Sequence, residues 1–252
     1  MRDFFLTFVT MKPILEIIAS NLDHVIQAQQ SGAHRIELCA ALSADGITPS
    51  NGFVQSAITQ SKLPVMVMIR PREGDFQYSD LEIEAMSQDI AWAKTCGAMG
   101  IVIGILDAHQ NVHKEVLKRW VQEAYPMEVT FHRAFDVTQD PYQALEDIID
   151  CGCTRILTSG QQSSCVEGKT LIKALQTKAG QRITIMAGAG INTHTIGDIM
   201  DAGIYEYHMS GHQAGVAKNA QEKMFGTHPT LQLTDIQHVA QVLADLALPE
   251  LS

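Results

Sequence analysis

Residues Met127–Asp136 read MEVTFHRAFD, an alternating strand pattern that runs straight into histidine, arginine and aspartate. Val129, Phe131 and Arg133 point to one side of an extended segment and Thr130 and His132 to the other, because strand side chains alternate with period two. The same ending recurs in IELCA, MIRPR, ILTSG, IMAGAG and EYHMSG. Strands that all deliver polar residues at their carboxyl ends predict a parallel α/β fold with its site on that face.

Working outward, strand and helix signals alternate along the chain. Strands are expected at Ile14–Ile18, Arg35–Cys39, Val65–Ile69, Gly100–Gly104, Glu128–His132, Arg155–Thr158, Ile183–Ala187 and Ile204–His208. Helix starts are marked by Asn21, Ser50, Ser79 with Glu82 as a capping box, Asp140 followed by Pro141, Asn192, and Thr234 with Gln237 as a second box whose helix runs toward Leu246. Gly32, Gly97, Gly152 and Gly203 stand where left-handed helix stops belong, ahead of every second strand. Pro13, Pro64, Pro126 and Gly180 precede the others. This fourfold strand-helix-strand-helix repeat predicts a TIM (β/α)8 barrel, which a chain of 252 residues fits as a single domain. An open doubly wound sheet leaves the repeat unexplained. The barrel is placed at residues 13–252 after a tail at 1–12, with Met11 an alternative start to Met1. Residues 211–233 match neither strand nor helix and are expected to loop over the barrel mouth.

Composition narrows the partners. A net charge of -10 without clustered Lys or Arg argues against nucleic acid, and no apolar run reaches the length of a membrane span. MRDFFLTFV lacks the cleavage pattern of a secretory signal, and five cysteines are too few for a disulfide framework, so a reducing cytoplasm is expected. A small molecule or a metal ion is left as the partner.

The polar strand ends supply the candidates. His132 suits an acid, base or metal ligand, with Asp136 four residues on to orient it; a buried histidine satisfied by neighbours is the competing reading. Arg70 and Arg72, flanking Pro71, suit a carboxylate or phosphate, unless they pair with Glu16, Glu37 or Asp75. Glu16 and Glu37 occupy matching strand positions, and Glu206 recurs with His208 and Ser210 on its face; they suit acid-base work or a layer of charged pairs. The loops Thr158-Ser159-Gly160 and Ala187-Gly188-Ala189-Gly190 are short enough to cradle phosphate on backbone amides or simply to turn the chain. Cys151 and Cys153, with Cys96, fall at the bottom of the barrel, whereas Cys39 and Cys165 belong to the mouth. Each suits a small buried apolar role.

With ELCAALSADGITPS, MIRPREGDF, TFHRAFD, RILTSG and IMAGAGI in that order, the chain from Pro13 to about Gly211 resembles the CutC family of copper homeostasis proteins. The resemblance implies a TIM barrel, a cytoplasmic setting, copper handling and a homo-oligomer. It maps shared polar residues onto Glu16, Glu37, Cys39, Arg70, Arg72, Asp75, His132, Arg133, Asp136 and Ser159; the stretch GHQAGVAKNAQEK after Ser210 does not align. Two functions stay open. One is copper binding, with Cys39 as the metal ligand at the mouth. The other is an enzyme acting on a small phosphate- or carboxylate-bearing substrate. In that reading His132, Glu16, Glu37 and Asp136 are the catalytic candidates, and Arg70, Arg72, Arg133, Ser159, Gly160, Gly188, Gly190, His208 and Ser210 hold the anion. Copper(I) prefers soft sulfur ligands, which the mouth offers sparingly, so the chemistry of the residues leans toward the enzyme.

Overall fold

Strands β1 (Ile14–Ala19), β2 (Arg35–Leu38), β3 (Val65–Met68), β4 (Gly100–Ile103), β5 (Glu128–Phe131), β6 (Arg155–Thr158), β7 (Thr184–Ala187) and β8 (Glu206–Met209) pair in parallel and in chain order, and β8 returns to β1 to close a barrel. The structure, a computed structural model, describes residues 12–213, 224, 227 and 229–246. The expected tail lies outside these except for Lys12, as does much of the 211–233 loop. Around the barrel run α1 (Leu22–Gln30), α2 (Asn51–Gln60), α3 (Asp80–Cys96), α4 (Lys114–Ala124), α5 (Pro141–Cys151), α6 (Lys169–Ala179), α7 (Ile196–Met200) and α8 (Leu233–Leu246). No described helix is long and apolar enough to cross a membrane.

Local chemistry starts and stops these elements as read. Asn21 accepts from the His24 amide, Ser79 and Glu82 close a reciprocal box, and Asp140 accepts from the Tyr142 and Gln143 amides. Gly32, Gly97, Gly152 and Gly203 all have φ between +76° and +89°, the left-handed region that L side chains avoid. Several boundaries differ. Cys39, Ile69, Gly104 and His132 lie just past their strands, and β8 begins at Glu206, where pairing with Ile14 of β1 begins. Asn192 caps a preliminary turn, accepting from the His194 amide, so α7 starts only at Ile196. Helix α8 starts at Leu233, with the Gln232 carbonyl accepting its first bond, which puts Thr234 inside the first turn and not at the cap. The expected mouth loop contains two short strands, β9 (His212–Gln213) and β10 (Thr230–Leu231), paired antiparallel.

Alternation sorts each strand into two environments. Leu15, Ile17, Ile36, Leu38, Val67, Ile101, Val129, Phe131, Ile156 and Ile185 join Leu117, Trp120 and Ile148 of the helices in one continuous apolar layer. Each such side chain contributes about 1.5–3 kcal/mol on burial. The residues between them face the barrel axis, where a small separate cluster of Cys39, Met66, Met68 and Val102 shares the interior with charged groups. Strand β4 gives the axis little else: a Cβ at Gly100 would lie 2.3 Å from Met66 Cε, and one at Gly104 2.3 Å from His132 Cε1.

Candidate functional site

The floor of the barrel is an ionic layer. Register places Glu16 beside Arg35 on one side and beside His208 on the other. Arg35 bonds Glu16 Oε2 and Glu206 Oε2, each at 2.5 Å, and Arg155 bonds Glu206 at 2.5 Å, Glu128 at 3.0 Å and Thr130 Oγ1 at 3.1 Å. The partners of the strand carboxylates are therefore Arg35 and Arg155, the first residues of β2 and β6, and not Arg70 or Arg72. Burial alone would raise the Glu16 pKa, but Arg35, His208 and Arg155 outweigh it and hold the carboxyl well below its ordinary range.

Above this floor sits a histidine between two carboxylates. His208 Nδ1 lies 2.7 Å from Glu16 Oε1, and its Nε2 faces Glu37 Oε2 at 3.8 Å. Because Glu16 is ionised, His208 donates from Nδ1 and turns Nε2 toward Glu37. Burial would lower the His208 pKa, but Glu37 and Glu16 reverse that and raise it. Burial pushes Glu37 up to about 7, with His208 opposing and Glu16 adding to the rise. Glu37 and His208 thus face each other with both pKa values raised, and Glu37 Oε1 is buried and unpartnered among the described residues.

Glu37 and His208 open into a cavity of about 1020 Å³ at the carboxyl ends of the strands, also lined by Cys39, Arg70, His132 and Gly190. Arg70 donates Nη1 to the Ala44 and Gly46 carbonyls at 2.8 and 3.0 Å and Nη2 to Gly74 at 3.0 Å. All three acceptors are neutral, so among the described residues no carboxylate is bonded to Arg70, and its Nε is buried without a partner. His132 Nδ1 accepts from the Ala134 amide at 3.1 Å, which leaves the proton on Nε2, a second buried atom without a partner. Burial, helped by Arg70, brings the His132 pKa down to about 3. Held neutral in this way, the imidazole presents Nε2–H to the cavity as a hydrogen-bond donor. Phe76 lies against both, 5.3 Å from the Arg70 guanidinium and 5.0 Å from the His132 ring.

The other sequence candidates divide. Asp136 lines the cavity but does not orient His132; it accepts from Thr158 Oγ1 at 2.5 Å, the Ser159 amide at 3.0 Å, the Gln161 amide at 3.2 Å and Arg133 Nε at 2.8 Å. The short 3-10 turn Arg133–Val137 swings it toward the end of β6. Arg133 lines the cavity, bound to Asp136 and to Ser159 Oγ. The amides of Ser159, Gly160 and Gly188 bond Asp136, Thr158 Oγ1 and the Thr158 carbonyl, so they are not available to cradle a phosphate. Gly190 and Ser210 line the wall. Arg72 lies outside the lining, held by Glu82 at 2.6 Å and Asp75 at 3.0 Å.

A metal finds two kinds of donor. Ligand atoms of Glu16, Glu37 and His208 lie within 4.8 Å of one another, but Glu16 is already bound by Arg35 and His208. Cys39 and Met68 put two soft sulfurs on one cavity wall, both beside Gly46, whose added Cβ would meet Cys39 Sγ at 3.4 Å and Met68 Cε at 3.8 Å. Burial and the neighbouring Glu37 raise the Cys39 pKa, keeping it a thiol until a metal displaces the proton. Cys151 and Cys153 are buried at the amino-terminal end of the barrel, at the close of α5 and just before β6.

Sequence reasoning did not single out Met68, Phe76, Arg35, Arg155 or the pair His24 and His212, whose Nδ1 and Nε2 lie 3.1 Å apart where β9 meets the cavity rim. The matching first positions of RIEL and RILT were a readable signal for the two arginines. Phe76 lies in a loop and His212 in a two-residue strand, where no period marks a face.

The pattern of the CutC family matches residues 13–213. A family protein CutC of Pasteurella multocida is 48% identical over 198 residues, covering 78% of this chain and 81% of that one, and its counterpart in Glaesserella parasuis is 40% identical over 240 residues, covering 93% and 99%. Among solved structures, a Streptococcus agalactiae protein bearing the name copper homeostasis protein CutC superposes with a TM-score of 0.74 at 32% identity, covering 78% of this chain and 97% of that one. QR15, an aldolase, shares the fold alone, at a TM-score of 0.60 and 17% identity over 81% of this chain and 92% of that one. With a parallel eight-stranded barrel, the motifs at its mouth and relatives of this identity, the chain belongs to the CutC family.

Proposed function

We propose that the barrel mouth binds a small oxyanion-bearing molecule against Arg70 and His132 and moves a proton to or from it through Glu37 and His208. The observation that carries this reading is that four residues of a single cavity hold a buried polar atom without a partner among the described residues: Arg70 Nε and His132 Nε2, which donate, Glu37 Oε1, which accepts, and His212 Nδ1 at the rim. Leaving such a group unsatisfied costs about 1–3 kcal/mol, a cost that a ligand supplying the missing bonds removes. In the CutC fold of this chain Glu16 is a positioning residue, acting on the ligand only through His208. The test is a melting screen of organic acids, phosphorylated sugars and inorganic phosphate on wild type, Arg70→Lys and His132→Gln. A ligand at about a hundredfold over its Kd stabilises the fold by about 2.7 kcal/mol. The reading predicts hits that weaken in both variants; it fails when no anion stabilises the wild type or when every hit survives both changes.

A second reading, copper(I) binding, is supported by the two sulfurs of Cys39 and Met68 on the cavity wall. Thiolate and thioether are the donors copper(I) prefers. Competitive copper(I) titration of Cys39→Ala against the Cys151→Ala, Cys153→Ala double variant decides it. Loss in Cys39→Ala supports the mouth site, and loss only in the double variant overturns it.

A further inference from the structure

Resting on the anion-site reading above, we infer that the proton moved at this mouth is a carbon-bound one, and that the ligand is a small 2-oxo acid which the protein converts to its enolate. The donor set is the first reason. Arg70 has both Nη1 hydrogens and one of the two on Nη2 bonded to carbonyls and keeps its Nε–H without a partner, and His132 offers one N–H from Nε2. Two donors from different side chains suit two adjacent oxygens, a carbonyl and the neighbouring carboxylate, and the amides of Ser159, Gly160 and Gly188, bonded within their own loops, are not free to add a phosphate cradle. The uncompensated charge of Arg70 calls for a ligand that brings a negative one.

The acceptor is the second reason. Glu37 Oε1 is a buried carboxylate oxygen without a partner, on the same cavity, with His208 behind its other oxygen. Glu37 and Arg70 line the same cavity, with Gly46 between their neighbours: it gives its carbonyl to Arg70 at 3.0 Å and packs against Cys39, two positions after Glu37. Ile18, Met68, Phe76 and Leu157 add apolar surface to the wall, which strengthens both hydrogen bonds and charge effects beside it. Donors fixed on a carbonyl oxygen and a carboxylate base set against its α-carbon are the parts that enolisation requires. A neutral imidazole is the right donor for this task, because it lends a hydrogen bond to the growing oxyanion without giving up its proton.

The step balances without a co-reactant. The C3–H bond breaks and its proton passes to Glu37 Oε1. The pair left behind forms a C2–C3 double bond, and the C2–O pair moves onto oxygen, where His132 holds it while Arg70 keeps the carboxylate. Reprotonation of C3 by a proton that has exchanged with solvent through His208 reverses the sequence. Hydrogen exchange at C3 therefore accompanies binding.

The experiment incubates the full chain with pyruvate, and separately with 2-oxobutyrate, in deuterium oxide and follows loss of the C3 proton signal by NMR. Expected is exchange well above buffer, reduced about 10²–10⁴-fold in Glu37→Gln, while the same acids still raise the melting temperature of that variant. His132→Gln leaves the base in place and is expected to slow exchange, so a failure of Glu37→Gln to fold does not close the question. Exchange at the wild-type rate in both variants overturns the inference. So does the absence of exchange with a 2-oxo acid that stabilises the wild type through Arg70, although the anion-site reading then stands. When 2-oxo acids give neither a melting shift nor exchange but another anion does, the inference alone falls; when no anion binds, both fall.

Discussion

Replacing His132 with glutamine tests whether burial holds that ring neutral, on which its role as a donor depends. The histidine pKa drops from 6.5 to about 3 in the fold, through burial first and Arg70 second. Between those two values the unfolded chain binds a proton that the folded chain refuses, so the folded state loses stability as pH falls through the window. From 6.5 down to about pH 5 is roughly 1.5 units at about 1.36 kcal/mol each, or about 2 kcal/mol. His212, lowered to about 4 by burial and His24, adds a loss in the same direction. Glu37 and His208, both raised, act the opposite way, because they bind more protons folded than unfolded. The wild-type curve alone therefore mixes signs, and the informative quantity is the difference between wild type and His132→Gln in urea denaturation at about pH 7.5 and about pH 5. The variant's deficit is expected to shrink by about 2 kcal/mol at the lower pH, equivalent to about 4–8 °C in Tm for a chain of this size. A deficit equal at both pH values would show that His132 titrates normally in the fold and would remove the argument for a neutral donor.

Three further outcomes are expected. Gly104→Ala places a Cβ 2.3 Å from His132 Cε1, so it should cost about 1–3 kcal/mol in denaturation and abolish ligand-induced melting shifts; recovery of stability in Gly104→Ala, His132→Ala checks that the ring is what is displaced. Glu16→Gln leaves Glu206 as the one carboxylate on Arg35 and a single neutral oxygen where Arg35 and His208 each had one, for an expected loss of about 3–5 kcal/mol, measured the same way. Under native conditions a thiol reagent should label Cys96, which is partly exposed, ahead of the buried Cys39 and Cys153; fast labelling of Cys39 would contradict its burial.

The barrel was legible because its signals are local. Period-two alternation, side-chain caps and left-handed glycines each act within a few residues, and they placed β1 to β8 to within a residue or two at each end. The roles of individual polar residues depended on closure, which no local pattern displays. Arg35 meets Glu16 across the β1–β2 pair but reaches Glu206 only because β8 returns to β1, and without that closure Arg70 and Arg72 looked like better partners for the strand carboxylates than they are. Asp136 stands four residues from His132 in sequence, yet the 3-10 turn between them sends it to Ser159. Arg72 was drawn away by Glu82, one of whose oxygens caps Ser79 while the other takes the arginine. What did carry through from the sequence was the alternation itself, which put Glu37, Arg70, His132 and His208 on inward positions of four strands.

The ionic floor also sets a schedule for biosynthesis. Glu16 and Arg35 leave the ribosome early, but their partners Glu206 and His208 lie 171 residues beyond Arg35 and 192 beyond Glu16. At about 5–20 residues per second, the first two strands wait roughly 10–40 s for the last one. During that interval a partial barrel that buried Glu16 and Arg35 would leave their charges half matched. The nascent amino-terminal portion is thereby discouraged from closing on itself until the strand that completes the ring has been made.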